Sequence, residues 1–193
     1  MLIEPQSDII SSLQKTYSEH PSAKFANIAI SPIIGHINLY RIRTDLWRYY
    51  LGKIASGITS ESKSYVQNKA RSRLQEKIVK SELAQGNDLI ESFEVDSMDL
   101  YSALKKYDVS KKVGWLQIDT EGYDDIVIYN SDIENTKPDV ISYEVNKLTT
   151  ESYDKLGIYL DRLGYLRLPF SVRDECAVNL GRFLKVLKSQ KID

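Results

Sequence analysis

Two acids, Asp119 and Glu121, follow the apolar run Trp115-Leu-Gln-Ile118 and precede Gly122. The order reads as a strand that rolls into a turn and then a helix. An open α/β sheet binds its ligand at the carboxyl ends of its strands, which places both acids at the mouth of such a sheet. A carboxylate there can take a proton from a weak nucleophile. The same residues also suit a helix start: Asp119 or Thr120 as the cap, and Glu121 in the first turn against the helix dipole. Two further acids end apolar stretches in the same way. Glu4 closes Met1-Leu-Ile3 and Glu144 closes Asp139-Val-Ile-Ser-Tyr143. Glu4 can accept hydrogen bonds from both hydroxyls of a ribose or serve a helix N-terminus. Glu144 can hold substrate, act as an alternative base or be a solvated strand-end acid. The set points to an α/β enzyme that binds a nucleotide.

Other reactive types are sparse. His20 and His36 have no Cys or His partner at metal-ligand spacing, so no metal site is expected. Cys176 is the single cysteine; it lies in an apolar stretch and reads as a small core residue.

The elements that must position the acids alternate. The sequence predicts a strand over residues 1–4 and a helix carrying Ile9, Ile10, Leu13 and Tyr17, with Pro5 as a first helical residue. Residues 24–30 and 36–42 read as strands, with Gly35 as the turn. A buried strand is expected at 113–118, a short helix from about Tyr123, and a strand at 139–144. Residues 149–163 read as a helix with Gly164 as its stop. Residues 165–170 and 176–180 suggest a closing antiparallel pair. Strands separated by helical patterns favour a largely parallel sheet with crossover helices. Residues 41–90 depart from the rhythm, with few strand signals and one amphipathic helix through Tyr65, Val66, Ala70, Leu74, Ile78 and Leu83.

The 193 residues suffice for one domain with a real core, and 42% hydrophobic with 27% charged residues is ordinary for a globular protein. A net charge of −1 shows no global bias toward nucleic acid. The imbalance is local: residues 41–82 hold ten Lys/Arg against four Asp/Glu, so they carry +6 and the remainder −7. Such a stretch is the solvated face of a helix or a receiver for an anionic acceptor. Trp47, Tyr49 and Tyr50 stack on a sugar ring or pack the helix. No apolar run is long enough to span a membrane, and no signal-peptide pattern opens the chain. A cytoplasmic location is the default expectation.

The ordered set Ile3-Glu4-Pro5, Asn27-Ile-Ala-Ile-Ser31, Met98-Asp99-Leu100, Leu116-Gln-Ile-Asp-Thr-Glu-Gly-Tyr-Asp124, Val140-Ile-Ser-Tyr-Glu144 and Leu163-Gly-Tyr165 resembles the FkbM family of S-adenosylmethionine-dependent methyltransferases. The likeness covers most of the chain and is weakest over 41–90. It implies a Rossmann-like class I methyltransferase fold, a three-layer α/β sandwich, in a single domain over 1–193 with a helical insertion at about 43–88. It also implies methyl transfer from S-adenosylmethionine to a hydroxyl of a sugar or specialised metabolite. Glu4, Pro5 and Gln6 would then flank the adenosine, and Asn27 and Ala29 would line the adenine pocket. Asn27 is equally a polar turn residue at a strand end. Asp119 or Glu121 would be the base, and Glu144 would lie near the acceptor, a small molecule or glycan.

The chain departs from the family at its start. Family members open with a strand and a glycine-rich loop that cradles the methionine end of the cofactor; here the first glycine is Gly35. The expectation is therefore an N-terminally truncated fold lacking its central first strand, with a second copy or a partner chain covering the exposed ladder. The rival expectation is a non-catalytic interaction module that keeps the fold and has lost cofactor binding.

Overall fold

The structure is a computed structural model that describes residues 1–52, 55–109 and 112–189. It has two compact units, one formed by Met1–Ile34 with Ser97–Asp193 and the other by Gly35–Asp96. The expected insertion at 43–88 falls inside the second unit, which also takes in strands. Lys53 and Ile54, within the basic stretch 41–82, lie outside the described residues.

The first unit opens with β1 (Leu2–Ile3), α1 (Ser7–Thr16), β2 (Phe25–Ala26) and β3 (Ala29–Ile30). Pro5 does not start α1, because Gln6 is the N-cap and the helix begins at Ser7. β1 and β2 pair in parallel, Leu2 with Phe25 and Ile3 with Ala26. The single strand expected over 24–30 divides at Asn27-Ile28. The halves have different partners: β2 pairs with β1, while β3 pairs in parallel with Ser97-Met98 at the end of β6 (Ile90–Met98). The Asn27 amide holds the break, donating to the Glu4 carbonyl at 2.9 Å and the Pro5 carbonyl at 2.8 Å. Buried Ala26 and Ile28 pack with Ala103 of α4 (Leu100–Lys106). Asp99 caps α4, accepting from the Ser102 amide at 2.8 Å.

The rest of this unit runs β7 (Trp115–Gln117), α5 (Asp124–Tyr129), α6 (Ile133–Thr136), β8 (Val140–Glu144), α7 (Thr150–Arg162), β9 (Tyr165–Pro169), β10 (Asp174–Asn179) and α8 (Leu180–Ser189). The sheet order is β7-β8-β10-β9. β7 and β8 are parallel, and β10 is antiparallel to both β8 and β9. α7 forms where the sequence predicts it. Thr149 caps it by accepting from Ser152 N at 3.1 Å, and Gly164 ends it in the left-handed region at φ 79°. Its apolar stripe buries Leu156 and Leu160 against Ile141, Tyr143, Tyr165 and Ala177. Each such side chain is worth about 1.5–3 kcal/mol of burial. Gly157 is a close-approach position, since a Cβ there would meet the Arg167 guanidinium at 2.6 Å.

In the second unit, β4 (Gly35–Ile42) pairs antiparallel with β5 (Thr59–Ser60). One helix was expected through 65–83; two form, α2 (Lys63–Arg73) and α3 (Glu76–Ala84). The break at Leu74 has a physical cause. Leu74 is extended at ψ 154° and forms an antiparallel bridge with Tyr50, while Gln75 N donates to the Tyr49 carbonyl at 3.1 Å. Leu74 is buried with Ile42, Leu46, Ile58, Val66, Ala70, Leu89 and Ile90. Much of the basic content of 41–82 is engaged structurally. Arg41 pairs with Glu91 at 2.7 Å, and its guanidinium lies over the Trp47 and Phe93 rings. Arg43 bonds Asp45 and Glu82.

Candidate active site

The candidate site is assembled where β7 and β8 end. Ile118 N donates to the Ser142 carbonyl at 2.9 Å, carrying the parallel ladder to the last residue before Asp119. The chain then turns through Thr120, Glu121 and Gly122. Glu121 adopts φ 56° and Gly122 φ 108°. A left-handed glutamate is uncommon, and strain of this kind concentrates at functional loops. At Gly122 it is the positive φ that asks for glycine, since a Cβ there would make only an ordinary contact with Lys147 Cβ at 3.4 Å.

Asp124 holds this turn in place. It is fully buried, and one carboxylate oxygen accepts from Thr120 N at 3.2 Å and Thr120 Oγ1 at 2.9 Å. The other accepts from Glu144 N at 2.9 Å. One side chain thus ties the β7–α5 turn to the last residue of β8. The N-cap position of α5 is Tyr123, so neither Asp119 nor Thr120 occupies it.

Lys147, just past β8, binds two acids of the rim. Its ammonium bonds Glu121 and lies 2.8 Å from Glu144 Oε2. Burial works against the Lys147 charge, but the bonds to Glu121 and Glu144 outweigh it and hold the ammonium well above the usual lysine range. Asp119 stands differently. It is exposed, and its carboxyl is pushed up by partial desolvation and then by the negative charges of Glu121, Glu144 and Asp124; Lys147 acts in the opposite sense. Asp119, Glu121 and Glu144 therefore share one electrostatic cluster, with Lys147 as its cation.

Glu4, Gln6 and Asn27 gather at the ends of β1 and β2. Glu4 Oε1 accepts from Gln6 N at 2.8 Å. Burial pushes the Glu4 carboxyl up, against the hydrogen bonds from Gln6. Gln6 is buried, Asn27 is committed through its amide nitrogen to the Glu4 and Pro5 carbonyls, and Ala29 lies in β3. The β1-β2 sheet and the β7-β8-β10-β9 sheet are separate ladders.

Sequence reasoning passed over Lys147 and Asp124. Lys147 is a loop residue whose partner Glu121 lies 26 positions away, so no local period marks it. Asp124 stands inside the Asp-Thr-Glu-Gly-Tyr-Asp run but five residues past Asp119, on the helix side of the turn, where an acid reads as an ordinary first-turn residue. No group of three or more His, Cys, Asp or Glu among the described residues is placed to hold a metal ion.

The cluster can hold a cationic group near acids and accept a proton at Asp119. A family model, the methyltransferase FkbM domain, matches residues 1–167. No curated protein and no solved structure matches the chain significantly. The match includes both strand-end groups and every residue of the acid cluster, and the chain belongs to the FkbM methyltransferase family.

Proposed function

We propose that this methyltransferase moves the methyl group of S-adenosylmethionine to a hydroxyl oxygen of a small molecule or glycan, with Asp119 as the proton acceptor. The observation that carries this reading is the contrast within one rim. Asp124 and Lys147 occupy the neighbouring acids, while Asp119 is left exposed with its proton affinity raised. A base of raised pKa takes a hydroxyl proton more readily, provided it stays ionised at working pH. S-adenosylmethionine would supply the electrophilic methyl group. The residues at the β1 end fit its adenosine half: Glu4 is a partly buried carboxylate with lone pairs beyond the one Gln6 N uses, suited to a ribose diol. Pro5, Gln6, Asn27 and Ala29 surround that end. A sugar or specialised metabolite is the acceptor class we favour.

A non-catalytic interaction module is the competing reading. It is favoured by Lys147 neutralising Glu121 and Glu144. Incubation of the chain with methyl-labelled S-adenosylmethionine and a panel of hydroxylated sugars separates the two. Label transfer that Asp119→Asn abolishes supports the enzyme and its base. Calorimetry showing no heat with S-adenosylmethionine at millimolar concentration supports the module. Full transfer in Asp119→Asn removes the assigned base.

A further inference from the structure

α8 lies beyond the family-matched span, and none of its described side chains, Leu180 to Lys185, belongs to the core of β7 to β10. It is strongly amphipathic in sequence, and it is mounted the wrong way round for a surface helix. Leu180, Phe183 and Leu184 share one face by their i, i+3, i+4 spacing. They are 37%, 49% and 50% exposed. Arg182, on another face, bonds Asp139 at the start of β8. Asn179 caps the helix, accepting from Arg182 N at 3.1 Å. The domain therefore grips the start of α8 through a polar side chain and leaves Leu180, Phe183 and Leu184 outward. A surface helix ordinarily does the reverse, facing its apolar stripe to the core.

Charge says what covers the stripe. Residues 180–193 carry Arg182, Lys185, Lys188 and Lys191 against Asp193, a net of +3. The whole chain is −1, so the other residues sum to −4. The positive charge of this segment thus adjoins exposed Phe and Leu, apart from the separate +6 of residues 41–82, where Arg41 and Arg43 are held in ion pairs. An outward apolar stripe flanked by lysines is the pattern of a helix that lies in the plane of an anionic lipid interface. No helix of the described residues is long and apolar enough to cross a membrane, and a ten-residue helix spans only about half of a hydrocarbon core.

We propose that α8 docks this protein in-plane on an anionic lipid surface, inserting Leu180, Phe183 and Leu184 and holding Lys185 at the headgroups. The docking is independent of the catalytic reading, because no residue of the acid rim takes part in it.

The test is co-sedimentation of the full chain with vesicles of phosphatidylcholine alone and of phosphatidylcholine with phosphatidylglycerol. Binding to the anionic vesicles alone, weakening as salt is raised, is the expected result. Phe183→Asp combined with Leu184→Asp should abolish binding. Lys185→Glu should weaken it about five-fold or more, since one basic residue near an anionic surface is worth about that factor. All three residues are exposed, so melting temperatures should stay at the wild-type value; if the double variant unfolds, Lys185→Glu decides alone. Failure to bind anionic vesicles overturns the proposal, as does equal binding to both vesicle types or retention of binding in Lys185→Glu. A dimer in analytical ultracentrifugation that the double variant dissociates would assign the stripe to a second copy, and also overturns it.

Discussion

The β1 end and the β7 end of the same unit use their carboxylates in opposite ways. At β1, Glu4 folds back on its own backbone, and what opposes the burial of its charge is hydrogen bonding from Gln6. At β7, three neighbouring acids push the Asp119 carboxyl the same way as burial does, and only the charge of Lys147 opposes them. The difference lies in which residue does the structural work. Glu4 itself ties the turn into α1, whereas at β7 that task falls to Asp124, five residues on, which bonds Thr120 and Glu144. Asp119 is thereby released from any structural duty, and a functional loop needs one such residue.

The largest expected effect breaks the comparison at its most functional point. Asp119→Asn should cut methyl transfer by roughly 100- to 10,000-fold, the same as about 2.7 to 5.4 kcal/mol of barrier. S-adenosylmethionine affinity should be nearly unchanged, because an amide keeps the shape and loses only the ability to take a proton. Single-turnover rates alongside a binding titration check this. A Glu121→Gln variant that loses turnover while Asp119→Asn keeps it would move the base by two residues.

Asp124→Ala is expected to act on stability instead. It leaves Thr120 N, Thr120 Oγ1 and Glu144 N without their acceptor, and a buried unsatisfied group costs about 1–3 kcal/mol. Chemical denaturation should show an unfolding free energy lower by about 3 kcal/mol or more, together with lost turnover as the turn relaxes. Stability kept intact would show that the turn is held elsewhere.

Lys147→Met sharpens the contrast by making the β7 rim wholly acidic. Lys147 lowers the Asp119 proton affinity, so its removal should raise it further. The base works only when deprotonated, so the acid limb of the pH–rate profile should move to higher pH. An unmoved limb would mean that Lys147 and Asp119 do not share a field.

How these regions read from sequence follows from where their determinants lie. β7, β8 and α7 are legible because each is an unbroken apolar pattern bounded by its own signals: Gly122, Glu144, Thr149 and Gly164. β6 is not. Its Glu91, Glu94 and Asp96 dilute the apolar signal of Ile90, Phe93 and Val95, so the nine-residue strand goes unread. The division of 24–30 into β2 and β3 is likewise hidden, since it depends on which distant strands pair with each half. Asp119, Glu121, Glu144 and Glu4 stand out as acids at strand ends. Lys147 does not, because its meaning comes entirely from the two acids it meets across the turn.

The smallest effect discriminates between the two ends by sign alone. The folded-state carboxyl of Asp119 is raised from its ordinary 3.8. The native state therefore holds this proton more tightly than the unfolded chain. Stability linked to this group is fully present below the unfolded value and is lost as pH rises through the folded one. At neutral pH the ionised Asp119 is thus a net cost. Asp119→Asn should melt slightly higher than wild type at pH 7, with the advantage disappearing below about pH 4. Because the residue is exposed, solvent screening keeps the gain small, within about 0.5 kcal/mol. Glu4 is also raised by burial, but Glu4→Gln turns the charged acceptor of Gln6 N into a weaker neutral one. That weakening offsets the relief, so Glu4→Gln should not gain stability at pH 7. Melting curves of both variants across pH 3 to 8 check the pair. A neutral-pH loss in Asp119→Asn would show that Asp119 is structural after all, and would remove the contrast on which its role as base rests.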